Sequence, residues 1–249
     1  MNRCRKLMPA GAMIFLLILW EILVRALQVP SYVLPAPTQV LAALWTDRAA
    51  LLSHSAVTVL EALGGMGISL LCAVILGILM DANGTVKSVV YPVLVVTQTI
   101  PMIVLSPILI LYLGFGLAPK ILTVVLMCFF PIVVSFADGM GQIDPAYANL
   151  VRSYGATKLQ VYTQVKIPYA MPSLLSGLKV AATYSISGAV VGEWIASQSG
   201  LGYYILRVKN SYALDKMFAC VIVIILLSLA MNGLIWLVRR IFLPYLNRK

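Results

Sequence analysis

The sequence predicts an all-α membrane protein with about six transmembrane helices. Three observations carry that reading. Of 249 residues, 61% are hydrophobic and 10% charged, against roughly 25% charged in soluble domains. The apolar residues gather in runs of about twenty, the length that crosses a bilayer core as a helix. The basic residues, in net excess by +10, sit mainly at the ends of those runs. That placement suits orientation and lipid headgroups and argues against nucleic acid as a partner.

After a basic start (Arg3, Arg5, Lys6), an apolar run reaches from about Leu7 to Leu27. It is too long for a signal-peptide core and lacks a small-x-small cleavage site, so it reads as the first membrane helix. Glu21 and Arg25 are four apart on it, the order that favours an ion pair, or they snorkel separately near its end. Residues 30–54 are mixed. Pro30, Pro35 and Pro37 make an extended lead-in, and Thr38 caps a short interfacial helix with Val40, Leu41 and Leu44. The second membrane helix runs from about Val57 to Met80, and Gly64, Gly65 and Gly67 permit close backbone approach. A turn follows at residues 81–84.

The third apolar stretch, about Val89 to Leu113, is interrupted by Pro92, Pro101 and Pro107, and Thr97, Gln98 and Thr99 cluster beside Pro101. Carbonyls freed by proline need partners in hydrocarbon, so this stretch should face protein or water. It is either a wall of a substrate path or a kinked packing helix. The fourth helix, about Pro119 to Ala137, carries Pro131 as a kink. The fifth starts after Pro168 or Pro172 and reaches about Ala196, with a small-residue ridge at Ser173, Gly177, Ala181, Ser185 and Ala189. Glu193 comes next on that ridge, as a functional intramembrane carboxylate or an interfacial anchor. Residues 199–202 form a loop before Tyr203 and Tyr204, and the sixth helix spans about Met217 to Val238. The four cysteines form no C-x-x-C, and the lone His54 reads as interfacial, so no metal site or disulfide framework is supported.

Between the fourth and fifth helices lies a polar-amphipathic island, Asp138 to Pro168. Asp144 and Pro145 form an N-cap and first-turn proline. Tyr147, Leu150, Val151 and Tyr154 make one apolar helix face. Gly155 breaks that helix, and Thr157 with Gln160 is a capping box that starts another, carrying Leu159, Tyr162 and Val165 until Pro168 ends it. Such an island either docks something soluble or lies solvated on the headgroups. Six spans put both termini on one side. With that side cytoplasmic, it holds Arg3, Arg5, Lys6, Lys87, Arg152, Lys158, Lys166, Arg239, Arg240, Arg248 and Lys249, against Arg25, Arg48, Lys120, Arg207, Lys209 and Lys216 opposite. The positive-inside rule therefore places the island in the cytoplasm. No G-x-x-x-x-G-K-[ST] is present to cradle ATP.

The island resembles the EAA loop, E-A-A-x3-G-x9-I-x-L-P, of bacterial ABC importer permeases. Gly155 and Pro168 match in position, Val165 and Ile167 stand before the proline, and Asn149, Leu150 and Val151 replace the opening Glu-Ala-Ala. The stretches RSYGATKLQVYTQVKIPYAMPSLLSGLKVA, GEWIASQSGLGYYI and LPAPTQVLAAL are similar to the nitrate/sulfonate/taurine type, over roughly residues 15–243. TQTIPMIVLSPILILYLGFGLAPKI and CFFPIVVSFADGM are similar to its branch for the hydroxymethylpyrimidine precursor of thiamine.

The resemblance implies a type I importer (MetI-like) permease fold with a cytoplasmic coupling-helix loop. Residues 1–55 would be the first helix and interfacial segment, 56–243 the permease core and 244–249 a cytoplasmic tail. It also implies a non-enzymatic subunit of the bacterial cytoplasmic membrane, with both termini cytoplasmic, that binds no cofactor or metal. The implied partners are a cytosolic ABC ATPase holding ATP and Mg, an extracytoplasmic solute-binding protein and a second permease copy in a homodimer. Transport would proceed by alternating access. The coupling residues would be Arg152, Tyr154, Gly155, Ala156, Lys158, Leu159, Tyr162 and Pro168, with Tyr154, Ala156, Leu159 and Tyr162 in an apolar groove. The path residues would be Thr97, Gln98, Thr99, Pro101, Ser185 and Glu193. Sulfonate, taurine, nitrate and riboflavin-type solutes are the alternatives to the pyrimidine. An ion-coupled secondary transporter is the other class, but no internal repeat is visible and the carboxylates sit near helix ends. An intramembrane enzyme lacks paired acids or a Ser-His constellation.

Overall fold

The computed structural model describes residues 2–242, with side chains over 11–241 apart from Ala196. The described residues form helices joined by short loops. α1 (Asn2–Ala26) exposes apolar side chains from Met13 to Leu23, as a helix standing in lipid does. α2 is the short helix expected after the prolines, at Pro37–Thr46. Its N-cap is Ala36, not Thr38, because Pro37 takes the first helical position and the Gln39 side chain accepts from the Ala36 amide. Thr38 serves the Glu21–Arg25 ion pair instead. Its amide and hydroxyl donate to Glu21 at 3.0 and 2.8 Å, while Arg25 Nε lies 2.5 Å from Glu21 Oε1. That cluster ties α1 to the start of α2.

α3 runs unbroken from Arg48 to Ala82. At 1.5 Å per residue it is about 52 Å long, well beyond the 57–80 stretch expected. No proline or glycine breaks residues 48–56, so the helix continues upstream and takes up His54, which is built into the fold instead of lying at an interface. The proline-rich third stretch is two helices, α4 (Gly84–Thr97) and α5 (Met102–Leu113), bent by 103°. Pro101 lacks an amide and disfavours helical dihedrals at Ile100, so the ladder stops there. α6 (Leu117–Gly141) passes through Pro131 without a break and takes in Asp138.

α7 (Pro145–Ser153) and α8 (Lys158–Val161) form the island. Pro168 does not end the second helix. A π-helical turn at Tyr162–Lys166 carries the chain into α9 (Ile167–Ala196). The Ile167 amide donates to the Tyr162 carbonyl, five residues back. This wider turn absorbs the proline, whose missing N–H costs nothing at the start of a new register. The result is one apolar rod over Lys158–Ile195. The expected loop and polar stretch contain α10 (Leu201–Asn210), and α11 (Leu214–Phe242) closes the fold.

Among the described residues, four helices are long and apolar enough to cross a membrane: α3, α6, the rod containing α9, and α11. The α4–α5 pair makes five, and α1, at 25 residues, is of spanning length and would make six. The largest interface is between α6 and α9, followed by α3 with α6. The ridge of Gly177, Ala181, Ser185 and Ala189 lies in it, fully buried. A Cβ on Gly177 would sit 2.5 Å from the Pro131 carbonyl oxygen, and one on Gly65 would sit 2.5 Å from Val124. Around these contacts Phe136, Ile132, Met140, Met80 and Ile186 fill the core.

Gly177→Leu should therefore wedge α6 from α9. Overpacking of this kind costs about 1–3 kcal/mol, so thermal unfolding of the purified protein should shift down by several degrees. Gly233→Leu, where the added side chain meets open space, should leave the transition in place. Equal transitions for the two variants would contradict the packing.

Candidate functional site

The island is built from local signals. The Asp144 carboxylate accepts from the Ala146 amide at 2.8 Å and starts α7, with Pro145 at the first helical position. α7 ends in a Schellman-type turn, in which the Ala156 amide donates to the Val151 carbonyl and the Gly155 amide to that of Arg152. Gly155 has φ +86°, a left-handed conformation that side chains resist. The Thr157 hydroxyl accepts from the Gln160 amide at 3.3 Å, while the Gln160 side chain accepts from the Thr157 amide at 2.8 Å. The hinge is thus capped on both sides.

One face of this hinge turns inward through Ile143, Ala148 and Val161. The other presents Tyr147, Leu150, Tyr154 and Leu159, of which Tyr154 is 86% and Leu159 72% exposed. Arg152 and Lys158 stand exposed among them, Ala156 is half-buried and Pro168 exposed. Tyr162 departs from the expected groove-facing role. Its hydroxyl donates to Asp81 Oδ2 at 2.7 Å, and Lys166 Nζ reaches the same oxygen at 2.5 Å. Tyr162 therefore fastens the base of the rod to the end of α3 and is half-buried there. Tyr147 and Leu150 take its place on the apolar face. Their i, i+3, i+7 spacing with Tyr154 marked that face in the sequence.

Thr97, Gln98, Thr99 and Pro101 lie exposed at the α4–α5 break. The Thr97 and Thr99 hydroxyls donate to the carbonyls of Leu94 and Val96, both at 2.7 Å, satisfying the frayed helix end. Gln98 and Pro101 share an open cleft of about 270 Å³ with Met127 and Tyr184. Ser185 and Glu193 are not with them. Ser185 is buried against α6 and donates to the Ala182 carbonyl.

Glu193 sits in a buried polar junction that holds the N-terminus of α10. Three successive amides there are capped by side chains of other helices. Gly200 N–H donates to His54 Nδ1 at 3.1 Å, Leu201 N–H to Thr58 Oγ1 at 2.9 Å and Gly202 N–H to Glu193 Oε2 at 2.5 Å. Thr58 Oγ1 in turn donates to Glu193 Oε1 at 2.6 Å. Beside this junction Lys120 and Glu61 form a buried ion pair at 2.7 Å. Gly200, at φ +103°, and Gly202 have no room for a Cβ against the Glu193 side chain. One helical turn further on, the Tyr204 hydroxyl donates to Asp47 at 2.6 Å. That bond first, and then Lys216, holds the Asp47 carboxyl below its ordinary range. The pairing of Glu61 with Lys120 and the capping of α10 had no sequence signal, since their members come from segments far apart.

A helical multi-pass membrane protein with a short, capped segment that exposes an apolar patch is what these features define. Residues 69–243 match the family model for the binding-protein-dependent transport system inner membrane component. The chain is 33% identical over 242 residues to the formylaminopyrimidine transport permease protein ThiX of Halalkalibacterium halodurans, covering 97% of this chain and 96% of that one. It is 32% identical to a probable ABC transporter permease protein of Haemophilus influenzae, over 96% and 98% of the two chains. The fold is similar to that of the MetNI methionine ABC transporter in an inward-facing conformation, with TM-score 0.56, 18% identity, and coverage of 78% of this chain and 96% of that one. The chain belongs to the binding-protein-dependent inner membrane component family of ABC transporter permeases.

Glu193→Ala would leave the buried Gly202 amide without its acceptor and the Thr58 hydroxyl with only the His54 carbonyl, at 3.2 Å. Unsatisfied buried groups cost about 1–3 kcal/mol each. The thermal transition should drop by several degrees, and Glu193→Gln, which keeps an acceptor oxygen, should drop it less. An Ala variant as stable as the parent would remove Glu193 from the junction.

Proposed function

We propose that the chain is the permease subunit of an ATP-driven importer, passing a small solute across the cytoplasmic membrane by alternating access. The observation that carries this is the exposed apolar patch of Tyr147, Leu150, Tyr154 and Leu159 on two helices hinged at Gly155. Four large apolar side chains on a polar segment are the composition of a docking surface. The patch enters an apolar groove on a separate cytosolic ABC ATPase, with Arg152 and Lys158 against acidic rim groups. Apolar anchors carry most of such an interface's energy and rim charges less. ATP and Mg are bound by that ATPase, while this chain holds no cofactor and performs no catalysis. An extracytoplasmic binding protein delivers the solute and a second copy of the chain completes the path. The excess of basic residues on the island's side supports cytoplasmic termini.

The solute is a pyrimidine precursor of thiamine, a reading supported by the likeness to the formylaminopyrimidine permease. Gln98 and Pro101, with Thr97 and Thr99 beside them, line its way at the α4–α5 break. Ser185 and Glu193 contribute by seating α9 and α10.

Gly155→Pro should abolish ATP-dependent uptake while membrane insertion persists, because proline cannot adopt the positive φ of the hinge. Replacing Tyr154 and Leu159 together by Ala should cut co-purification of the ATPase at least tenfold. Uptake at the parental rate in the first variant, undiminished co-purification in the second, or uptake sustained by an ion gradient after ATP depletion would each contradict this function.

A further inference from the structure

The outward face of α9 is polar. Facing away from α6, it exposes Ser176, Lys179, Thr183, Tyr184 and Ser187, with Val180 among them. At 100° per residue these positions fall within one face about 140° wide. Ser185 lies on the far side, against α6, and Glu193, further along the helix, is buried in the α10 junction. Side chains on either flank add to the polar face. Asn232 of α11 donates to Thr183 Oγ1 at 3.0 Å, and Tyr184 shares the cleft that holds Gln98 and Pro101. Lys179 lies about 18 Å along α9 from Ile167, in a small cleft with Ser176, Trp236 and Arg239.

A spanning helix that turns serine, threonine, tyrosine and lysine outward is mismatched to lipid tails. Such residues are tolerated where they line a water-filled cavity. Lys179 has no salt-bridge partner among the described residues, since the four ion pairs are made by other bases. The only acid on α9 is Glu193, about 21 Å further along the helix and buried in the α10 junction, and α4 and α5 have none. On α11 the only acid is Asp215, at its far end. Arg239, the nearest charge in the shared cleft, has the same sign as Lys179. The face is therefore polar and, through Lys179, positively charged.

We propose that this face of α9 is the wall of the solute path, closed opposite by the second copy, and that Lys179 makes the wall repel cations. This rests on the permease reading given above and adds to it the charge class of the solute, which is neutral or anionic. The purpose follows from the direction of transport. A membrane potential negative inside draws cations inward through any path that opens, and a fixed positive charge in a narrow aqueous passage is a barrier to them. An uncharged pyrimidine passes this wall, and a solute of the same size with a quaternary nitrogen is disfavoured.

The test uses the whole transporter in membranes, in a background where Cys4 and Cys72 are Ser, leaving the buried Cys128 and Cys220. Thr183→Cys, Ser187→Cys and Ser185→Cys are reacted with thiosulfonate reagents of like size, one with a trimethylammonium group and one with a sulfonate. Positions 183 and 187 should react and 185 should not. A unit charge about 6 Å away favours the anionic reagent by about three- to tenfold at 183 and less at 187, about 12 Å away, after screening. Lys179→Gln should erase that preference and Lys179→Arg should keep it. Co-purification of the ATPase confirms that each variant is assembled. If 183 and 187 react only with a lipid-soluble maleimide, the face lies in lipid and the path assignment falls, although the permease reading stands. If both charged reagents react but the preference survives Lys179→Gln, the charge filter is overturned. Loss of ATPase association in the unsubstituted protein would instead count against the permease reading itself.

Discussion

The close approach of α9 to α6 is the constraint on which the other features depend. It exists because glycine, alanine and serine recur every fourth residue on α9, and because Gly177 lets the backbone rest against the Pro131 carbonyl. In lipid no hydrophobic force drives two helices together, so such small-residue contacts supply much of the association. By turning its small face to α6, α9 is forced to turn Ser176, Lys179, Thr183 and Ser187 the other way. The packing of the chain and the polarity of its outer face are two sides of one helical register.

The same helix joins the two ends of the molecule. The π-turn at Tyr162–Lys166 keeps α8, the second helix of the island, and the spanning segment in one rod where Pro168 would otherwise part them. Asp81 fixes the rod's base to α3 through Tyr162 and Lys166. At the opposite end Glu193 meets α3 again through Thr58 and grips α10 through Gly202. A force on Tyr154 and Leu159 is therefore applied close to the foot of a rod whose head holds the α10 junction. Between Lys158 and Ile195 that rod is continuous helix, so beyond the hinge at Gly155 no break separates the island from the α10 junction.

Much of this was legible in the sequence where the cause is local. Asp144 with Pro145, the left-handed Gly155, and Thr157 with Gln160 each act within a few residues, and each stands where its chemistry indicated. The apolar runs and the small-residue ridge were equally readable. Three features were not, and each has a distant or competing cause. Pro168 read as a stop, and the widened turn before it overrides that signal. Tyr162 read as a docking anchor, and Asp81, 81 residues earlier, claims its hydroxyl. His54 read as interfacial and Glu193 as a functional carboxylate or an anchor, and nothing tied them to Thr58, Glu61 or Lys120, which they meet only because α3, α6 and α9 bring them together. The prolines near residue 101 showed an interruption, but its 103° angle depends on how α5 packs on α6 and α9.

The rigidity of the rod is measured most directly by a spin-label distance. One label replaces Gln160 and another Trp194 in the same chain, diluted with unlabelled chains and assembled with the ATPase. A continuous helix places them about 51 Å apart at 1.5 Å per residue. That distance should be the same without nucleotide and with ATP bound, while the distance between Ser187 labels on the two copies changes. An intrachain distance that shortens or broadens on ATP binding would show a joint within the rod and contradict its role as the transmitting element.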